Sequence, residues 1–163
     1  MVKVSSQAWM DNELGYFAGG TNMTTSELLV STSRRTQFVS ITSKISKIIA
    51  SNNWQEGVLT IFIPHTTAGV TINENADPDV ARDMESFSDE MVPQSKRFHH
   101  SEGNADAHIK ASFYGSSVQV IIRKGSMWLG TWQGIYFCEF DGPRERKVYL
   151  AFLWSGLELP KGI

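Results

Sequence analysis

The sequence is poor in the features that mark secreted scaffolds, membrane proteins and nucleic-acid-binding proteins. It contains one cysteine, Cys138, so no internal disulfide can form and a small disulfide-stabilised scaffold is excluded. No uninterrupted apolar run reaches the roughly 18 residues that a membrane-spanning helix needs. Its 15 Lys and Arg residues do not outnumber its 17 Asp and Glu residues, so we expect neither nucleic acid nor a membrane as a partner.

The N-terminal region lacks the pattern of a secretory signal, because acidic Asp11 and Glu13 interrupt it and no apolar segment precedes a cleavage site. We therefore expect a cytoplasmic protein. The chain does have enough aromatic residues to bury one core, with nine Phe, five Trp and four Tyr among 163 residues. No repeat or linker divides it, and we predict an N-terminal extension over residues 1–24 and a single domain over residues 25–163.

The spacing of apolar residues predicts an α+β fold. Short β-branched and aromatic runs predict about six strands, at Glu27–Gln37, Gly57–Ile63, Val70–Asn73, Val118–Ile122, Ile135–Phe140 and Val148–Trp154. Helical spacing predicts about three helices, at Phe38–Ile49, Val80–Met91 and Asn104–Gly115. This order favours helices packed on a mixed, mostly antiparallel β-sheet or sandwich. Within its strand, Cys138 is expected to be a small buried hydrophobe.

Capping residues predict where these helices begin and end. Ser40 can cap the first helix, and Asp77, followed by a proline, is typical of the N-cap of the second. Gly115 provides a left-handed stop for the third helix. Asn104 can act as the N-cap of that helix or share a helix face with His108, and both interpretations stay open.

All four histidines lie between positions 65 and 108. His65 follows a strand-ending proline. His99 and His100 lie in an irregular segment, and His108 lies in the third predicted helix. Three neutral imidazoles from a strand end, a loop and a helix would form an open zinc-type site, with one position left for water or substrate. The spacing matches no standard local metal motif, so surface or structural histidines are the alternative, and the choice between His99 and His100 stays open.

Glu74 and Asp106 are the candidate carboxylates for proton transfer. Glu74 follows a predicted strand and precedes an acidic helix whose other carboxylates fit a solvated face. It is therefore the preferred group for general acid–base work or for a metal-bound water. Asp106 lies two residues from His108 and so on a different helix face. It is expected to orient His100 or to meet a substrate.

A second group of polar residues lies between positions 123 and 146. Three glycines, two hydroxyl residues and flanking basic groups in Arg123–Gly134 resemble loops that bind anions through backbone N–H groups. Arg144 follows a turn and can pair with Asp141 or bind an oxyanion. The alternative interpretation is an ordinary turn between strands, with Trp128 and Trp132 in the core or in an interface.

Five segments, taken together and in order, resemble the YjbQ family, whose members are described as secondary thiamine-phosphate synthases. The segments are Pro64–Gly69 (PHTTAG), Asn73–Val80 (NENADPDV), Glu102–Lys110 (EGNADAHIK), Gly130–Gly134 (GTWQG) and Asp141–Arg144 (DGPR). The resemblance runs from Glu27 to Trp154 and leaves residues 1–24 outside the family pattern.

The resemblance implies a compact α+β domain that assembles as a homotrimer, with polar clefts near the subunit contacts. It also implies a divalent metal, with zinc preferred and magnesium as the other choice, bound by residues matching His65, His100 and His108. The implied reaction joins a hydroxymethylpyrimidine diphosphate to a thiazole phosphate and releases pyrophosphate. The residues expected to position the phosphate oxygens of this small phosphorylated substrate are Thr66, Thr131, Gln133 and Arg144. Glu74 or Asp106 would handle protons.

Two other functions stay open. Three histidines suit zinc and water activation better than the Asp-rich magnesium site expected of a diphosphate transferase. A zinc-dependent hydrolase of an anionic ester or phosphoester is therefore one alternative. The other is a non-catalytic protein that binds a metal or a small molecule.

Overall fold

The computed structural model describes residues 21–95 and 97–155. This part of the chain contains eight strands and three helices. The strands are β1 (Thr21–Ser31), β2 (Gln37–Ser40), β3 (Gly57–Phe62), β4 (Ala68–Glu74), β5 (Ser117–Arg123), β6 (Ser126–Met127), β7 (Gln133–Glu139) and β8 (Glu145–Ser155). The helices are α1 (Thr42–Ser51), α2 (Pro78–Met91) and α3 (Ala105–Tyr114). The last residues of the predicted extension, 21–24, belong to β1, whereas residues 1–20 and 156–163 lie outside the described residues.

The strands form two sheets. A five-stranded sheet has the order β1-β8-β3-β5-β6, and a three-stranded sheet has the order β2-β7-β4. Each strand pair in both sheets is antiparallel. The predicted α+β class, with a mostly antiparallel sandwich and three helices, is therefore confirmed.

The main core lies between the two sheets, because the inward-facing positions of their strands are apolar. Fully buried side chains of both sheets meet there, among them Leu59, Ile61, Val70 and Phe137. The apolar stripe of α1 adds Ile45 and Ile49 to this core. Complete burial of one such side chain stabilises a fold by about 2 kcal/mol.

A second core lies on the other face of the three-stranded sheet, under α2 and α3. Cys138 of β7 and Phe140 just after it pack there with Ala107 of α3. The end of α3 lies close to β4 at Gly69, where a Cβ would be 2.9 Å from the carbonyl oxygen of Gly115. The molecule therefore has three layers, and Cys138 is buried as predicted.

The capping prediction is confirmed for α2, and for α3 the predicted end residue is confirmed. The side chain of Asp77 accepts a hydrogen bond of 2.8 Å from the backbone N–H of Asp79. Gly115 ends α3 as predicted and has a φ of 81°, which favours glycine, but its ψ of 163° lies outside the left-handed helical region. Asn104 occupies the N-cap position of α3 but makes no capping hydrogen bond with its side chain.

The prediction for the start of α1 is wrong. Ser40 lies at the end of β2, and Ile41 occupies the N-cap position. The chain is extended here because β2 pairs with β7 and thereby buries Phe38 in the second core. The prediction of a single strand over Glu27–Gln37 is also wrong, because β1 ends at Ser31 and β2 begins at Gln37. Between them, the backbone N–H of Thr32 donates to the carbonyl oxygen of Arg144.

None of the described helices is long and apolar enough to cross a membrane.

Candidate functional site

Two of the predicted metal ligands, His100 and His108, lie against each other at the start of α3. His100 belongs to the loop before α3, and His108 is the fourth residue of the helix. Their ring centroids are 5.1 Å apart and the rings are almost perpendicular. The side chain of His100 is 42% exposed, so the pair faces solvent. His100, the second of the two adjacent histidines, is thus the one that meets His108.

Local backbone contacts fix this pair. Gly103, with a φ of 72°, donates its backbone N–H to the carbonyl oxygen of His100, which turns the loop back toward the helix. The backbone N–H of His108 donates to the carbonyl oxygen of Asn104. A cleft of about 550 Å³ lies beside His100 and Phe98, and a smaller one of about 280 Å³ borders both imidazoles. The pair therefore has open space next to it.

Charged and amide groups are connected to the loop and helix start that carry the histidine pair. We call this group the α3 entrance, and its members are His100, Glu102, Asn104, His108, Asp141 and Arg144. A carboxylate oxygen of Glu102 lies 3.8 Å from Nε2 of His100. Asn104 donates from Nδ2 to Oδ2 of Asp141 at 3.1 Å. Arg144 donates to the same Oδ2 at 2.7 Å and to the carbonyl oxygen of Asp141 at 2.8 Å. The predicted pairing of Arg144 with Asp141 is confirmed.

Electrostatics favour the charged forms of Arg144 and Asp141. The hydrogen bond and charge of Asp141 raise the pKa of Arg144, and Glu102 adds to the effect. Burial by itself raises the pKa of Asp141, but hydrogen bonds from Asn104 and Arg144 outweigh it, so the pKa lies below its usual value. The side chain of Arg144 is 51% exposed, and its cation is therefore accessible to an anion from solvent.

The predicted catalytic carboxylate Asp106 is already paired on both oxygens. Arg35 donates to Oδ1 at 2.9 Å, and Lys110, whose side chain is 2% exposed, lies 3.4 Å from Oδ2. Such a carboxylate is suited to holding α3 in place, whereas a proton-transfer role would require one of these contacts to open. The pair with Lys110 could have been expected from its i,i+4 spacing, but no local signal marks Arg35.

The third predicted metal ligand, His65, uses its Nε2 to accept a hydrogen bond of 3.0 Å from the backbone N–H of Lys147. A neutral imidazole has one lone pair, so His65 would have to release this contact before binding a metal. Burial lowers the pKa of His65, and the charge of Arg146 lowers it further. The neighbouring Thr66, expected to position phosphate, is exposed.

The remaining predicted site residues, Glu74, Thr131 and Gln133, lie at the opposite end of the three-stranded sheet. Glu74 pairs with Gln133 in the register of β4 and β7, whereas Ala68 pairs with Glu139 at the other end. Six residue steps along a strand separate the two ends by about 20 Å. Gln133 closes its own loop, because its Oε1 accepts from the backbone N–H of Gly130 at 2.8 Å. One copy of the chain thus divides the predicted site into two groups.

The described residues do not bring the three predicted histidine ligands together in one copy of the chain. Within residues 21–95 and 97–155, no group of three or more His, Cys, Asp or Glu side chains is close enough to hold a metal ion. A catalytic zinc site takes three protein ligands, and the α3 entrance offers two imidazoles. Oδ1 of Asn104 is buried and lacks a hydrogen-bond partner in the described part of the chain, which leaves one unsatisfied acceptor in the same group. The three-histidine site stays a prediction.

Sequence reasoning missed a buried ion pair behind the α3 entrance. Glu139, which is fully buried, accepts from Nε and an NH₂ group of Arg146 at 2.8 and 2.6 Å. One of its oxygens also accepts from the backbone N–H groups of Phe140 and Asp141. Glu139 thereby orients the turn that carries Asp141. A charged residue inside the apolar run Ile135–Phe140 was the available signal.

Comparison with known proteins identifies relatives over most of the chain. A family model described as "UPF0047 protein YjbQ-like" matches residues 26–155. The UPF0047 protein of Methanocaldococcus jannaschii is 48% identical over 124 residues, covering 76% of this chain and 90% of its own length. The UPF0047 protein YugU of Bacillus subtilis is 46% identical over 127 residues, covering 77% and 96%.

Solved structures agree with this fold. An uncharacterized conserved protein of the yjbq/upf0047 family from Clostridium acetobutylicum is 51% identical, with a TM-score of 0.75 over 78% of this chain and 98% of that one. A protein of unknown function from Sulfolobus solfataricus is 31% identical, with a TM-score of 0.77 over 82% and 99%. The chain therefore belongs to the UPF0047 YjbQ-like family.

Proposed function

We propose that this protein is a metal-dependent enzyme that acts on a small phosphorylated substrate at the α3 entrance. The observation that carries the proposal is the pairing of His100 with His108 at the start of α3, to whose N-cap residue Asn104 the half-exposed Arg144 is linked through Asp141. Imidazole nitrogens bind divalent metals, and a guanidinium binds phosphate oxygens. The imidazoles lie in one loop and the first turn of α3, and Arg144 reaches the start of that helix through its hydrogen bond to Asp141, which accepts from Asn104.

We propose thiamine-phosphate synthesis as the reaction. The thiazole nitrogen would form a bond to the methylene carbon of the pyrimidine diphosphate, the carbon–oxygen bond would break, and pyrophosphate would leave. A bound divalent metal would stabilise the negative charge that develops on the leaving group. Arg144 would bind the pyrophosphate oxygens, and Asp141 and Asn104 would hold Arg144 in position. The single free cysteine is compatible with a cytoplasmic location.

We further propose a homotrimer, in which a neighbouring copy completes the site. In one copy Glu74, Thr131 and Gln133 lie about 20 Å from the α3 entrance along β4. Trp132, between two of these residues in sequence, is 63% exposed, as expected for an aromatic side chain that packs in an interface. Such an arrangement would bring the two groups of predicted site residues together.

Light scattering of the purified protein tests this assembly. We expect a mass of three times the 18.2 kDa of one chain. The substitution Trp132→Asp should shift the mass toward that of the monomer, because a buried carboxylate in an interface is unfavourable. The matched control Trp128→Asp tests a second exposed tryptophan four residues away. A monomeric parent protein would contradict the proposal.

An assay of thiamine phosphate formation from the two phosphorylated precursors tests the reaction. We expect turnover with added zinc or magnesium and its loss with a chelator. Arg144→Ala should lower the rate about 100-fold, as the loss of one stabilising donor does in other enzymes. Arg123→Ala is the control, because Arg123 packs on the ring of Trp128, 5.2 Å from its centroid. Absence of product with every metal tested would reject this reaction.

A zinc-dependent hydrolase is the second candidate, favoured by the exposure of His100 to clefts that admit water. Chelator-sensitive cleavage of simple esters or phosphoesters, without thiamine phosphate formation, would support it. Metal binding without any turnover would support a non-catalytic binding protein.

A further inference from the structure

Three aromatic rings form a parallel stack on the side of the main core where α1 leads into β3. Trp54 follows α1, and Phe152 and Trp154 lie on the same face of β8. The centroids of Trp54 and Phe152 are 5.0 Å apart, and those of Phe152 and Trp154 are 5.6 Å apart, with ring planes within 16°. Trp54 and Phe152 are buried, whereas Trp154 is half-buried. Trp154 is therefore the ring of this stack that a ligand can reach.

A cleft of about 480 Å³ opens over this stack, which is within the size range of small-molecule sites. Its walls come from β1, β8 and the loop 52–56, and it shares no residue with the α3 entrance. Aromatic surface and polar side chains both line it, as is usual in ligand sites. The cleft is thus separate from the site of the proposed enzyme.

The loop that forms the wall of the cleft is held in place by backbone contacts. The backbone carbonyl oxygen of Gln55 accepts a hydrogen bond from the backbone N–H of Gly125. The side-chain carboxylate of Glu56 accepts one from the backbone N–H of Lys124. Gly57 allows the loop to approach the stack, since a Cβ there would lie 2.8 Å from ring atoms of Phe152. Because the loop is already held in place, ligand binding costs little conformational entropy.

The charge of the cleft defines the ligand it would accept. Three amide side chains, Asn52, Asn53 and Gln55, line it together with the carboxylate of Glu56. Among the described lining residues there is no Lys, Arg or His, so a phosphate or carboxylate would find no cation. Aromatic faces and carboxylates both attract cations. Amide and carboxylate oxygens accept hydrogen bonds from N–H donors.

We propose that this cleft is a second ligand site, which binds a flat aromatic cation carrying N–H donors. The ring of the ligand stacks on Trp154, and its N–H groups donate to Glu56 and the neighbouring amide oxygens. The expected ligand class is an amidine- or amino-substituted aromatic ring. This site differs in charge from the α3 entrance, whose exposed cation suits anions.

Benzamidine, a planar aromatic cation with N–H donors, is a direct probe, and benzoate is its closest isostere of opposite charge. We expect saturable benzamidine binding to the full-length protein, measured by chemical-shift titration, and no detectable benzoate binding. Cyclohexylamine, a cation without an aromatic ring, should bind at least tenfold more weakly than benzamidine. Equal binding of benzamidine and benzoate would overturn the proposal, as would the absence of benzamidine binding.

Two variants locate the binding. Trp154→Ala should weaken benzamidine binding about tenfold. Glu56→Gln keeps an acceptor for the backbone N–H of Lys124 and removes the charge, so it should weaken binding about fivefold without unfolding the loop. Trp128→Ala, at an exposed tryptophan outside the cleft, is the control and should leave the affinity unchanged. If Glu56→Gln binds benzamidine as tightly as the parent protein, the assignment is wrong.

Discussion

Replacing His100 or His108 with alanine is expected to abolish binding of the proposed divalent metal. Each variant would lose one of two adjacent imidazoles. Loss of a supporting residue outside the ligand set costs 10- to 100-fold in metal affinity, so the loss of a ligand should cost about 100-fold or more. Elemental analysis after dialysis against a fixed zinc concentration measures the effect.

His99→Ala is the matched control for this experiment. His99 is adjacent to His100 in sequence, and both side chains are exposed. His100, however, is the residue that packs on His108. The control should keep the metal content of the parent protein. If His100→Ala, His108→Ala and His99→Ala all retain that content, the pair does not bind the metal, and the proposed enzyme loses its main support.

His65→Ala separates two arrangements of the ligands. In one copy, Nε2 of His65 accepts from the backbone N–H of Lys147, and the His100–His108 pair lacks a third ligand of the His, Cys, Asp or Glu type among the described residues. If His65 completes the site, the variant loses metal together with the other two. If His65 has a structural role, metal content is retained while the loop between β3 and β4 is destabilised.

Arg146→Met is expected to lower the free energy of unfolding by about 3–5 kcal/mol, the cost of leaving one partner of a buried ion pair without its counter-charge. Methionine has a similar length and no charge, so the main change is the loss of the cation beside Glu139. Glu139 would retain hydrogen bonds from Thr32, Phe140 and Asp141, but its carboxylate would stay buried. Urea denaturation at a fixed protein concentration measures the difference.

An exposed ion pair provides the control for this prediction. Arg82 and Asp79 pair on the surface of α2, with both side chains mostly exposed. Arg82→Ala should therefore change stability by less than about 1 kcal/mol. The double substitution Glu139→Gln with Arg146→Met should recover part of the loss, because no buried charge remains. A loss in Arg146→Met no larger than that in Arg82→Ala would show that the buried pair contributes little.

The stability of this pair also bears on the proposed site. Glu139 accepts from the backbone N–H of Asp141, and Asp141 in turn holds Arg144 and Asn104. Loosening of Glu139 should thus reach Arg144 and Asn104 through two successive hydrogen bonds. We expect Arg146→Met to impair the proposed reaction by displacing Arg144, even where the protein remains folded.

Short-range sequence patterns predicted part of the candidate site. Helical spacing placed His108 in α3, and the i,i+4 rule explains the contact of Asp106 with Lys110. Local reasoning did not choose between His99 and His100, because an irregular loop has no period that assigns a face. It also did not reveal that Arg35 binds Asp106, since 71 residues separate them in sequence.

The sequence by itself determined the elements and the family. Period-two and helical spacing placed most strands and all three helices, and Asp77 and Gly115 marked two helix ends through their own backbone chemistry. Five short segments, two of which carry His65 and His108, indicated the family. These features depend on residues within a few positions of one another, and short-range sterics and hydrogen bonds determine them.

The tertiary structure determined where the predicted site residues lie relative to one another. The register of β4 with β7 separates Glu74 from the α3 entrance by the length of a strand. The pairing of β1 with β8 and of β2 with β7 brings Glu139 beside Thr32, which is 107 residues away. Such contacts form when whole strands pair and bury the two cores. Packing of the sheets therefore stabilises these contacts, and no local segment determines them by itself.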